Sequence, residues 1–134
     1  MRLPVFGYIM NRKELEKYIS ETYSTDPEYP WESSPASAVF RHASNRKWFA
    51  LLMDIPRSKL GMQSDDMISV VNLKCDPLMT GSVCMEKGIY PAYHMNKNYW
   101  ISVALDGTAP DETVKMLLDM SFDATMPKIK KKKG

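Results

Sequence analysis

Apolar positions along the chain recur with two different periods, and those periods predict the elements. From Asn11 to Tyr23, Leu15, Tyr18, Ile19 and Thr22 return at helical spacing, leaving Lys13, Glu16, Lys17 and Glu21 for solvent. Asn11 with Glu14 three residues later has the form of a capping box, each side chain satisfying an exposed N–H at the helix start. Ala38–His42 and Lys47–Met53 are strand-like and are separated by Ala43, Ser44, Asn45 and Arg46, which predicts a hairpin. Met67 to Leu73 predicts a third strand. Asp76 suits a helix N-cap and Pro77 the first helical position, so a helix is expected from there to near Gly88. Tyr99, Ile101, Val103 and Leu105 share one face of a further strand, and Asp106-Gly107 makes its turn. A last helix is expected near Pro110, with Thr108 and Asp111 at box-like spacing and Val114, Leu117, Leu118 and Phe122 as its apolar stripe.

The predicted order is α-β-β-β-α-β-α. Strands in a run with tight connections favour an antiparallel sheet packed on helices, the α+β class, over a doubly wound sheet. Two stretches are expected to be ordered without regular structure. Thr25–Pro35 carries three prolines and should be held down by Tyr29 and Trp31, while Ile89–Asn98 mixes aromatic and polar residues.

Composition adds limits. The 134 residues suit one domain, expected over 1–127, and 44% hydrophobic with 25% charged residues is the balance of a core-forming chain. The longest uncharged stretches run to about nine residues, half of what a membrane span needs, so no membrane association is expected. The first ten residues are apolar but broken by Pro4 and Gly7 and lack a small-residue cleavage site, so a secretory signal is not expected. Cys75 and Cys84 are too few for a disulfide framework and match no zinc spacing, which points to reduced thiols and a cytoplasmic location. Eleven methionines are read as adaptable core fillers.

Charge is uneven. Lys128 to Gly134 holds five lysines and no acid, which predicts a solvated, disordered tail able to attract polyanions. Without it, 13 basic residues face 16 acidic ones in 1–127, a formal charge of −3.

No phosphate loop, nucleophile elbow, zinc-protease helix or paired C-x-x-C occurs, so no catalysis, metal or cofactor is expected. Asp65-Asp66 reads as a solvated turn, and Cys84 with His94 lacks the orienting third group of a nucleophilic site. The polar and aromatic residues concentrate in two segments, 41–49 and 90–100. Arg41, His42, Asn45, Arg46 and Lys47 lie in the first; Tyr93, His94, Asn96, Lys97 and Trp100 lie in the second. Cations supply phosphate contacts, amides read base edges and rings offer stacking faces, so these ten are candidates for binding nucleic acid. The opposing reading makes the aromatics core, with cations lying over them or paired with acids. On that reading His42, on the side of Phe40 and Ala38, is a half-buried, hydrogen-bonded histidine.

The same residues carry a resemblance. Glu28-Tyr29-Pro30-Trp31-Glu32, Val39-Phe40-Arg41-His42 and Asn45 to Ala50 look like the first half of the MmcQ/YjbR family. Lys74-Cys75-Asp76-Pro77, Tyr93 to Lys97, Trp100, Leu105-Asp106-Gly107 and Pro110-Asp111 resemble its second half in the same order, over roughly residues 10–123. The stretch 78–87 departs from the pattern in lacking an arginine. The resemblance implies a two-layer α+β domain similar to type III secretion chaperones, in a small bacterial family described as carrying a double-wing DNA-binding arrangement and implying no enzymatic activity. It leaves two expectations of function: DNA binding through wings near Asn45 and Asn96, or a protein- or peptide-interaction module.

Overall fold

The computed structural model describes residues 11–127; the expected lysine tail and the apolar first ten residues lie outside them. Among the described residues, helix α1 (Arg12–Tyr23) is followed by strands β1 (Ala38–Arg41) and β2 (Trp48–Pro56), a 3-10 turn at Arg57–Leu60 and strand β3 (Met67–Lys74). A single helical turn, α2 (Thr80–Val83), then precedes β4 (Ile89–Pro91), β5 (Trp100–Ala104) and helix α3 (Asp111–Thr125). The strands form one antiparallel sheet in the order β1-β2-β3-β5-β4. The fold is α+β, as the order of the apolar segments implies.

The capping box forms as expected: Asn11 Oδ1 accepts from the Glu14 N–H, and Glu14 Oε1 accepts from the Asn11 N–H. Leu15 and Ile19 of α1, with Val114, Leu117 and Leu118 of α3, cover one sheet face, where Phe40, Ala50, Leu52, Val71, Leu73, Ile101 and Val103 are buried. The other face is also covered. Val39, Leu51, Met53, Ile55, Val70 and Ala104 lie under Trp31, Leu60, Met62, Tyr90, Tyr93 and Met95, contributed by connections and by the edge strand β4. That double covering explains why Phe49 to Met53 and Ile101 to Ala104 are buried without alternation.

Three local expectations are corrected. The helix expected from Asp76 to near Gly88 shrinks to Thr80–Val83, with Met79 as its N-cap. The Asp76 carboxylate instead accepts from the Leu78 N–H in a turn, and Leu78 and Met85 face solvent, so no apolar stripe exists to hold a longer helix. The connection expected at Ile89–Asn98 begins with a strand, β4, which the sequence hides because it is three residues long and ends in proline. At α3 the N-cap is Pro110, and the Thr108 hydroxyl donates to Asp106 rather than forming a box with Asp111. The Thr25–Pro35 connection is held by Trp31, edge-on to Trp48 at 5.6 Å, and by Tyr29, half exposed, whose hydroxyl donates to Glu16 of α1 at 3.1 Å.

Candidate functional site

Antiparallel pairing gathers three chain segments at one end of the sheet. Trp48 starts β2, Lys74 ends β3 and is paired with Trp100, which starts β5. The β1–β2 turn, the chain after β3 and the β4–β5 connection therefore share that end, and α3 finishes there.

In the β1–β2 turn most candidate side chains are already engaged. The His42 N–H donates to the Lys47 carbonyl and the Arg46 N–H to the His42 carbonyl, with Arg46 in the left-handed region at φ 63°. The His42 ring is buried among Phe49 and Phe122, and its Nε2 lies 3.0 Å from the Phe122 carbonyl and 2.8 Å from Thr125 Oγ1. A carbonyl can only accept, so Nε2 carries the proton. Burial holds this imidazole below its ordinary pKa of 6.5, only partly opposed by the bond to Phe122. Asn45 Nδ2 donates to the Thr125 carbonyl at 3.0 Å, closing the C-terminal end of α3. Arg41 and Arg46 both grip Glu28, at 3.1 and 2.8 Å. The Arg46 hydrogen bond chiefly holds the Glu28 carboxyl below its usual range, and Arg41 adds to it. Of the five candidate side chains in this turn, only that of Lys47 is exposed and without a hydrogen-bond or ion-pair partner among the described residues.

The β4–β5 connection is tied down through its backbone. Asn72 and Ser102, fully buried on facing strands, share a hydrogen bond of 2.5 Å. Asn72 Nδ2 donates to the Tyr93 carbonyl and the Tyr93 N–H donates to Ser102 Oγ, both at 3.0 Å. Asn96 folds its own loop, its side chain accepting from the Asn98 N–H, and Lys97 Nζ donates to the Ala92 carbonyl at 2.8 Å. His94 is exposed at φ 61°, its ring against Tyr93. His94 is not among the residues that line a hollow with Trp100.

The structure unites a different set. Lys47, Trp48, Lys74 and Trp100 line a hollow of about 240 Å³ floored by Ala124 and Thr125. Lys74 Nζ lies 5.3 Å from the Tyr99 ring and 5.4 Å from the Trp100 ring, within cation–π range of both. Neither lysine is within ion-pair distance of a carboxylate among the described residues. The hollow has a firm back wall: buried Ser121 of α3 accepts from the Lys74 N–H and donates to the Phe49 carbonyl, binding the helix to β2 and β3 at once. Of the ten sequence candidates only Lys47 and Trp100 line it. Trp48 belongs to the 41–49 segment but is not one of the ten, and Lys74 lies outside both segments, its signal being the register Lys74↔Trp100 that exists only once strands pair.

Beside the hollow, Cys75, Met79, Leu117 and Met120 line an apolar groove of about 350 Å³ with Asp76 and Asp123 at its rim. Cys75 and Cys84 are both free thiols that burial pushes above their ordinary pKa. Among the described residues no three His, Cys, Asp or Glu side chains are grouped to hold a metal ion. No helix among them is long and apolar enough to cross a membrane.

Residues 20–124 match the sequence family YjbR. The chain belongs to the YjbR family. It is 38% identical over 117 residues to the uncharacterized protein YyaQ of Bacillus subtilis (strain 168), covering 87% of this chain and 99% of that one. A crystal structure of a Pseudomonas syringae protein is similar over 87% of this chain and 100% of its own, with a TM-score of 0.86 and 46% identity. A crystal structure of a Deinococcus radiodurans protein shares the fold more distantly, with a TM-score of 0.62 and 25% identity over 84% of this chain and 75% of its own. The runs that suggest MmcQ/YjbR in the sequence thus mark a YjbR protein, and in this YjbR chain many of their polar residues maintain the sheet end itself.

Proposed function

We propose that this YjbR-family chain is a nucleic-acid-binding protein, with DNA as its ligand, and that it binds without catalysis through the end of the sheet. The observation that carries the reading is the hollow in which two unpaired ammonium groups, Lys47 and Lys74, meet the indoles of Trp48 and Trp100. Ammonium groups neutralise phosphates and release their counterions, while indoles hold rings or sugar surfaces, and Ser121 fixes the Lys74 backbone against α3 and β2. A cytosolic location belongs to this reading, supported by the two free thiols. The arrangement differs from a pair of free wings, since the Asn45 turn is bonded to α3 and the Asn96 loop to the sheet.

The test is fluorescence anisotropy with labelled DNA, single-stranded and duplex, at two salt concentrations, comparing wild type with Lys47→Ala/Lys74→Ala. The variant should bind more weakly and lose about 0.9 from the log–log salt slope for each phosphate contact removed. Unchanged affinity in a folded variant would remove the sheet end from consideration. Removal of the tail after Pro127 separates its five lysines from the domain, and binding that vanished entirely with the tail would belong to the tail.

One observation favours the second reading, a protein- or peptide-interaction module similar to a secretion chaperone. Leu78 and Met85 are 92% and 87% exposed on the 75–85 segment, and Met116 of α3 is also largely exposed; the same segment and helix line the apolar groove through Cys75, Met79, Leu117 and Met120. Clustered exposed apolar side chains commonly mark protein contacts. A nucleic-acid-inactive domain would leave this reading standing.

A further inference from the structure

We infer that the hollow takes an unpaired base, so that the nucleic acid this chain selects is single-stranded; this rests on the nucleic-acid reading above. The charge on the molecule is the first reason. Residues 1–127 carry a formal −3, and Arg41 and Arg46 are spent on Glu28 while Lys97 holds the Ala92 carbonyl. A duplex binder that relies on many phosphate contacts needs a broad basic surface, and the cations lining the hollow are Lys47 and Lys74, since Arg41, over the Trp48 ring, is paired with Glu28. With so few, affinity has to come from a contact that charge does not supply.

The shape of the site identifies that contact. At about 240 Å³ the hollow is smaller than the roughly 300–1,000 Å³ typical of pockets for whole small molecules, so it suits one protruding unit of a longer chain. Bases in a duplex are stacked on one another, and a recessed surface reaches only their edges or the phosphates outside them. An unpaired base exposes its ring faces, and the hollow offers it indole from two strands: Trp100 of β5, and Trp48 of β2, whose ring is also met by the Arg41 guanidinium at 5.5 Å and by Trp31 edge-on. Lys47 on the exposed rim and Lys74 over the Trp100 ring are then placed for the phosphates on either side of that base. Stacking is tolerant of sequence because every base has a ring face, so little base preference is expected.

The experiment measures anisotropy of fluorescein-labelled oligo-dT, oligo-U and a DNA duplex of the same length against the full chain, wild type, Trp100→Leu and Lys47→Ala. Circular dichroism confirms that each variant is folded, and Lys47→Ala, at an exposed position, remains informative if Trp100→Leu is not. The wild type should prefer a single strand over the duplex, with tryptophan emission quenched as it binds. Trp100→Leu should weaken single-strand binding by roughly 5- to 150-fold while changing duplex binding little, the range measured for removing one stacked base. Lys47→Ala should weaken single-strand binding and lower its salt slope by about 0.9. Oligo-dT and oligo-U share ring and phosphate; tighter binding of either identifies the source and supports the site. Equal or tighter duplex binding, with Trp100→Leu indistinguishable from wild type, would overturn the inference and leave the nucleic-acid reading intact. No binding to any of the three probes would overturn both.

Discussion

The β1–β2 turn and the β4–β5 connection are similar in composition and opposite in construction. Each combines a histidine, asparagine and lysine with aromatic residues in or directly beside it, and each crosses the same end of the sheet. The first is held by its side chains: His42 and Asn45 bond to the end of α3, and Arg41 and Arg46 to Glu28. The second is held to the sheet at the Tyr93 backbone, which bonds to the buried Asn72–Ser102 pair, while Asn96 and Lys97 bond only within the loop, and His94 and Tyr99 are left exposed. Equal composition therefore gives unequal availability. A side chain that anchors its own loop is not free for a ligand, whatever its chemistry.

The sharpest way to break the second arrangement is Asn72→Leu. It orphans the Tyr93 carbonyl and the Ser102 hydroxyl in a buried setting, about 1–3 kcal/mol for each unsatisfied group. Urea unfolding should show that loss, and the amides of residues 92–97 should lose exchange protection ahead of the sheet. A loss confined to global stability, with the connection still protected, would mean that the network does not hold it.

The first arrangement breaks at His42. His42→Ala removes the link to Phe122 and Thr125 and should cost about 1–3 kcal/mol. The wild type should also show a pH signature. Burial depresses the folded pKa, so below the ordinary 6.5 the unfolded chain binds the proton more readily than the folded one. This contribution is complete above about 6.5 and is lost as pH falls from there through the folded value. His42→Ala should flatten that part of the stability–pH curve, and an unaltered curve would show that His42 is not the titrating group.

Glu28→Gln tests whether the turn's arginines are withheld from ligands by an internal partner. Freeing Arg41 and Arg46 should strengthen binding to DNA and steepen its salt dependence, with little change in folding. Weaker or equal binding would show that neither arginine reaches a phosphate even when released. The smallest effect belongs to His94→Gly. Glycine accepts φ 61° without strain but gains freedom in the unfolded chain, so the net stability change should stay below about 1 kcal/mol. A larger loss would show that the tip of the second connection is anchored by its side chain after all.

Much of the fold was legible because its signals are local. The Asn11–Glu14 box, the hairpin around Asn45, the third strand and the α3 stripe each follow from periodicity and turn chemistry within a dozen residues. The missed parts depend on distant partners. β4 exists because Ile89 to Pro91 find β5, and the helix expected after Asp76 fails because Leu78 and Met85 find nothing to pack against. The site divides along the same line. Polar and aromatic enrichment marks 41–49 and 90–100, which the fold brings to one end of the sheet, but composition cannot distinguish His42, bonded to a helix 80 residues away, from Lys47, whose side chain has no hydrogen-bond partner among the described residues. Lys74 lay outside both segments and joins them only through its pairing with Trp100.

The most direct measurement of the central claim is a two-dimensional ¹H–¹⁵N NMR titration of the full chain with a short oligonucleotide. Shifts should concentrate on Lys47, Trp48, Lys74, Tyr99, Trp100 and Thr125, including the indole N–H signals of Trp48 and Trp100, while Arg46 and His94 move little. Shifts centred on the Arg46 and His94 tips, on the groove around Met79 and Met120, or absent from the folded domain altogether would contradict binding at the sheet end.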